Sequence, residues 1–403
     1  MSVAAPGQGL GFSLVQGGPF HTLLGRLGLT AADHLPTIRG VIVLAGLAWV
    51  PLAALVILQS LLSPGAANWS FFADATAYSR YLVAVPIMVA TERYADGRLT
   101  NLLDNFRRSR LVADASLARF AELVARADRR SASWRAEAII LLLAWSWAGL
   151  VTNWTLNLAG VDWDGRAAGD GFVLTWAGIY QLAVSSPLFI FLVFRWVWRF
   201  MVWTALLAGI ARLDLRLNSH NPDRAAGLGF MTVFPQIFLG FIFAISCVVA
   251  TAMIKEIHID NVAADDVWLA MAAWIVICVF WFIGPLMVFV LPLNGAQEKA
   301  ILDFSRISTL HHLDLEERLG EVPERDADSR HALAPDFSVA SGLNSLLQSV
   351  NSQRLAPVSA ATVKLVVLAA ALPLIPVVLT LVPFFDLVRW LFGKVRSEER
   401  RVG

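Results

Sequence analysis

The sequence predicts an all-α polytopic transmembrane bundle of about six spans, with a C-terminal spanning or re-entrant element and amphipathic helices outside the membrane. Three observations carry this. Gly40–Leu62, Ala138–Leu158, Phe172–Phe194, Ala225–Ile254 and Val267–Leu293 are apolar runs that reach or exceed the roughly 20 residues needed to cross a hydrocarbon core of about 30 Å. Hydrophobic residues make up 57% of the chain and charged residues 16%, whereas soluble domains carry about 45–50% and about 25%. Arginine is concentrated in alternate loops, which is how membrane topology is written. In lipid each backbone polar group must be satisfied within its own segment, so the runs read as helices.

Residues 1–39 hold no apolar core before Gly40. No cleavable signal peptide is expected, and the first span reads as an uncleaved anchor. Residues 40–91 carry the first two spans. Only Tyr81–Thr91 is uninterrupted in the second, which is too short to cross. A span from Phe72 to Thr91 must include Asp74 and Arg80, with Pro86 inside it. A charge at that depth either faces the bundle interior or snorkels to a surface.

Residues 92–137 are arginine-rich, from Arg93 and Arg98 to Arg130 and Arg135. Leu102, Leu103, Phe106, Leu111, Leu117, Phe120, Leu123 and Val124 fall at helical spacing, so Leu99–Arg130 reads as one amphipathic helix. Its arginines suit solvent and the anionic headgroups of membrane lipid.

Residues 138–294 hold the central spans, with a basic connection at 195–224. Arg195-Trp196-Val197-Trp198-Arg199 has the composition of a membrane boundary, with indoles at headgroup depth and guanidiniums snorkelling to phosphate. Phe200–Leu217 is expected to extend the fourth span. The 159–171 and 255–266 connections are instead acidic, with Asp162, Asp164, Asp170, Glu256, Asp260, Asp265 and Asp266. The basic loops and the N-terminus are therefore placed in the cytoplasm, and the acidic loops outside.

Residues 295–358 form a cytoplasmic helical segment, with helices expected over Gln297–Leu319 and Val339–Val350 and a loop over Glu321–Asp336. In residues 359–403, Val363–Phe392 is long for one span and short for two. A re-entrant hairpin, or one crossing followed by an interfacial helix at Phe384–Val395, both fit before the basic tail. Pro86, Pro187, Pro235, Pro285 and the Pro373/Pro376 pair interrupt the spans. Each removes a helical hydrogen bond, and broken helices are how many transporters build substrate sites.

The strongest local motif is Ser219-His220-Asn221-Pro222-Asp223-Arg224-Ala225-Ala226-Gly227-Leu228-Gly229-Phe230. Asn-Pro favours a turn, Asp223 can cap the following helix, and the small residues permit close helix approach. Alternatively, His220 and Asp223 form a titrating or ligand-binding pair at the membrane mouth. The stretch resembles an HPD-x-AGGLGF-like pattern in bacterial integral membrane proteins of uncharacterised function, with Asn221 intervening between His220 and Pro222. The resemblance implies bacterial membrane origin and carries over no activity; the expected location is the inner membrane.

His311-His312 lacks the partners of a metal site, and the two cysteines, Cys247 and Cys278, read as small buried hydrophobes. The sequence has no phosphate-binding loop, dinucleotide fingerprint or nucleophile elbow. No metal, haem or nucleotide cofactor is implied, and no nucleic acid is expected as a partner. A second copy of the chain stays open.

The leading function is a channel or transporter for a small solute or ion, with Arg80, Glu92, Gln181, Gln236, His220 and Asp223 as candidate pathway residues. The alternative is a signalling or assembly protein whose cytoplasmic helices bind a partner. A lipid-directed enzyme comes third, since no nucleophile or metal constellation supports it. A continuous polar cavity around Arg80 and Gln236 would favour the first reading, and a dry bundle the second.

Overall fold

The computed structural model describes residues 17–30, 36–62, 69–158, 163–168, 171–260, 264–321 and 334–381. They form an α-helical bundle: α1 (Pro19–Arg26), α2 (Ile38–Leu62), α3 (75–108), α4 (Leu117–Ser131), α5 (Trp134–Leu158), α6 (Trp176–Ile210), α7 (Gly229–His258), α8 (264–321), α9 (Ala334–Asn351) and α10 (Ala360–Leu381). A two-stranded antiparallel hairpin, β1 (Gly165–Ala168) and β2 (Gly171–Leu174), joins α5 to α6. Six helices, α2, α5, α6, α7, α8 and α10, are long and apolar enough to cross a membrane. Large apolar side chains such as Ile42, Leu58, Leu142, Leu150, Phe280 and Leu291 stand exposed on them, as a lipid-facing surface requires. The chain is a polytopic membrane protein.

The second expected span falls outside those six, and its charges explain why. It is part of α3, which packs against α2, α6 and α7 and buries Tyr81, Met88, Val89, Glu92, Leu99 and Phe106. The face that packs on protein tolerates charge that lipid would not, so hydropathy under-reports this helix. Asp74 lies at the start of this helix and not within it. It caps α3 by accepting the Thr76 N–H at 2.9 Å and takes the Trp163 indole N–H at 3.1 Å.

The prolines are absorbed by local changes of winding. Before Pro86 and Pro187, residues Tyr78–Ala84 and Gln181–Ser185 wind as π-helix. There the Val85 N–H reaches the Arg80 carbonyl and the Ser186 N–H reaches Gln181, each five residues back. This steers the preceding carbonyls away from the pyrrolidine ring. Pro235, Pro285 and Pro373 lie in tighter 3-10 segments. Their helices continue beyond, with Leu239, Val290 and Ile375 donating three residues back.

Several expected boundaries are corrected. The amphipathic stretch 99–130 is two helices, because the chain turns at Ser109-Arg110, where Arg110 has φ 51°. The turn lets residues 111–113 zip against 214–216, with the Ala113 N–H donating to Asp214 O at 3.1 Å and Arg216 N–H to Leu111 O at 2.7 Å. The same pairing ends α6 at Ile210 rather than Leu217. Phe172–Leu174 belongs to β2, and Thr175 opens α6 by accepting the Gly178 N–H at 3.0 Å. Helix Gln297–Leu319 is no separate element but the far half of α8. Most of the loop at Glu321–Asp336, the helix proposed at Phe384–Val395 and the basic tail lie outside the described residues. Within them, α10 continues through the 3-10 turn at Leu372–Leu374 and past Pro376 to Leu381.

The core joins α3, α6, α7 and α8 through an aromatic seam. Phe200 meets Phe238 at 5.2 Å and Phe282 at 5.2 Å, and Trp196 meets Phe238 at 5.9 Å between ring centroids. Gly240 lets α7 approach α3 closely, since a Cβ there would collide with Thr91 Oγ1.

Candidate functional site

The densest buried polar feature is an ion network between α3, α5 and α6. Glu92 lies on the enclosed face of α3, one turn beyond Met88 and one turn before Asp96, all three buried. Arg195 and Arg199 are four residues apart and so share one face of α6. Both donate to the same oxygen, Glu92 Oε1, at 2.7 and 2.8 Å. Arg195 Nε also stands 3.3 Å from Oε1 of Glu137, in the first turn of α5. Glu92, Arg195, Arg199 and Glu137 are exposed by only 2, 3, 2 and 6%. In these contacts two carboxylates face two guanidiniums.

The N-terminal segment closes this network from one side. The Phe20 N–H donates to Glu137 Oε2 at 2.8 Å, and the Phe20 ring centroid lies 4.9 Å from Arg195 Cζ. Phe20 also packs on Phe191 at 5.1 Å. Two glycines allow the approach. Gly17 and Gly18 have φ of 105° and 87°, and a Cβ on Gly18 would strike the Glu137 carboxylate.

The candidate residues read from the sequence fall in four places. Glu92 is the centre of the ion network. Arg80 is half-buried in the π-wound turn of α3, next to Tyr81, whose hydroxyl meets Ser186 Oγ at 3.1 Å and the Gln181 side chain. Gln181 thus meets Tyr81 rather than Glu92. Gln236 ties α7 to α10, donating to Thr362 Oγ1 at 3.2 Å, while the Thr362 hydroxyl donates to Thr232 O at 3.0 Å.

His220 and Asp223 do not pair among the described residues. Asp223 folds its own turn: Oδ1 accepts the N–H groups of Ala225 at 2.9 Å and Gly227 at 3.2 Å, and Oδ2 accepts Gly229 at 2.8 Å. Arg224, Ala226 and Gly227, at φ of 55°, 53° and 93°, make that tight turn. His220 is exposed, its ring 5.6 Å from Phe304.

The sequence pattern does not mark Arg195, Arg199, Glu137 or Phe20 as site residues. The boundary reading of Arg195–Arg199 is overturned, because both guanidiniums and Trp196 are buried, with Trp196 Nε1 donating to Met88 O at 3.2 Å. Their four-residue spacing, set against an acid on α3, was the available signal. Two cavities flank the network without including it. One, of about 380 Å³, is lined by Thr91, Tyr94 and Gln236 between α3 and α7. The other, of about 600 Å³, lies beneath the arginines of α4. Among the described residues no group of three or more His, Cys, Asp or Glu side chains is placed to hold a metal ion.

The fold and this site define an integral membrane protein with a charged interior. No family model matches the chain, and no curated protein and no solved structure matches it either.

Proposed function

We propose that the chain is a bacterial inner-membrane channel or transporter for a small solute or ion, captured with its pathway closed. The observation that carries this reading is the four-member ion network inside the bundle. Burying each ion costs several kcal/mol, and apolar side chains of similar volume would hold the helices together equally well. Ionisable groups within membrane spans mark function by default. The two π-wound turns, at Tyr78–Ala84 and Gln181–Ser185, support it further, since such bulges recur at functional sites. The basic end of the bundle and the N-terminus are assigned to the cytoplasm, from the arginine distribution.

A second reading rests on a different observation. The core is packed with aromatic side chains, and neither cavity is lined by Arg80 or a member of the network. A dry bundle suits a membrane-anchored signalling or assembly protein, with α9 and the far half of α8 presented to a partner.

The test is flux from liposomes containing the purified chain, using potassium, chloride, glycerol and an amino-acid mixture as probes. Transport predicts uptake of at least one probe that Glu92→Gln changes while the protein stays folded. Impermeability to all four, with a protein partner recovered by cross-linking at α8 or α9, supports the second reading.

A further inference from the structure

We infer that the groove between α4, α5 and α6 is a binding site for one anionic phospholipid. The inference stands apart from the transport reading, because no member of the ion network lines this cavity. Its floor is apolar, built from Ile139 and Leu143 on α5 and Phe194 on α6. Leu143 is 52% and Ile139 57% exposed, and both belong to a helix long and apolar enough to span the membrane. Arg129 and Arg130 stand at its rim, both exposed.

The rim is held in place by the fold. Trp198, also lining the groove, donates its indole N–H to the Arg130 carbonyl at 3.3 Å and so pins the last turn of α4 over α6. The third rim arginine, Arg126, is already engaged by Glu122 at 2.6 Å. The adjoining Arg129 and Arg130 therefore supply the positive charge of a groove of about 600 Å³ whose other lining is mainly apolar.

Fixed positive charge above an apolar groove, at the end of a membrane-spanning helix pair, complements a phosphate headgroup with its acyl chain below. A soluble anion would use the rim and leave the floor uncovered. A zwitterionic lipid would use the floor and gain little from the rim. Phosphatidylglycerol satisfies both.

The experiment uses the full chain, purified and delipidated in a neutral detergent. Phosphatidylglycerol, phosphatidylcholine and inorganic phosphate are titrated separately, with thermal midpoint and lipid adducts by native mass spectrometry as readouts. Phosphatidylglycerol is expected to raise the midpoint and give one retained adduct, and the other two to do neither. Arg129→Gln and Arg130→Gln should each weaken that binding by about fivefold, as the loss of about 1 kcal/mol per surface arginine implies. Arg119→Gln, on the same helix but outside the groove, should leave it unchanged. Ile139→Trp, which fills the floor and keeps the charge, should also lose the adduct. Equal binding of phosphatidylcholine, or a full shift with inorganic phosphate alone, overturns the proposal. So does undiminished phosphatidylglycerol binding in the Arg129→Gln/Arg130→Gln double variant or in folded Ile139→Trp.

Discussion

Phe20 and Arg195 are 175 positions apart in the chain (195 minus 20), yet the Phe20 ring lies 4.9 Å from the Arg195 guanidinium carbon. The same residue's N–H holds Glu137 at 2.8 Å. One residue outside the spans therefore touches an acid and a base of the buried network at once. Cation–π contact contributes about 2 kcal/mol where the cation is desolvated. Phe20→Leu keeps much of the apolar cover and the backbone donor but loses the ring. It should destabilise the purified protein by about 1–2 kcal/mol, with Phe20→Trp close to wild type in the same denaturation series.

Glu92 is the acceptor that Arg195 and Arg199 share. Glu92→Gln leaves two guanidiniums facing one carboxylate, and breaking a buried pair from one side costs about 3–5 kcal/mol. Glu92→Gln combined with Arg199→Gln removes one charge of each sign and leaves Arg195 and Glu137 still opposed. The double variant is expected to be less destabilised than the sum of the singles, read from a double-mutant cycle of unfolding free energies. Strict additivity would show that the shared oxygen does not couple them.

The bundle class was legible from composition and run length, because lipid imposes the same demand on each exposed span. What escaped the sequence was what faces protein. The charges in α3 depress its hydropathy, although Glu92 is sealed by α5 and α6. Arg195 and Arg199 look like boundary arginines by neighbourhood, and only the position of Glu92 across the interface turns them inward. Phe20 had no local signal, since its partners lie on distant helices. The turn at Asp223 was readable as a cap, because that geometry is local.

Gly240 should tolerate alanine poorly. A Cβ there meets Thr91 Oγ1, and the Thr91 hydroxyl is itself bonded to Ile87 O at 2.7 Å. Overpacking at a helix crossing costs about 1–3 kcal/mol. Adding Thr91→Ala to Gly240→Ala should recover most of the loss in thermal midpoint, whereas Gly149→Ala, which meets open space, should be nearly silent.

Topology reporters give a direct check on the proposed orientation. Fusions at Ser133 and Asn218 should report cytoplasm, and those at Gly165 and Ala263 the opposite side. An external signal at Ser133 would remove α3 as a crossing and invert the assignment of the basic end.

Asp223 makes the sharpest separation between a structural and a chemical role. As a simple helix cap it would be replaceable by asparagine, which caps about as well. Here, however, the carboxylate uses both oxygens, with two N–H groups on Oδ1 and the Gly229 N–H on Oδ2. Asparagine has one carbonyl oxygen, so its amide must turn an NH2 toward a backbone donor. Leaving a buried donor unsatisfied costs about 1–3 kcal/mol, and these partly buried donors fall toward the lower end. Asp223→Asn should therefore lower stability by about 1 kcal/mol, and Asp223→Ala by at least as much. His220→Gln should leave stability unchanged, because His220 is exposed against Phe304 and takes no part in the turn. Equal stability of wild type and Asp223→Asn would contradict the three-donor turn. Activity lost in a fully stable His220→Gln would restore the histidine to the pathway.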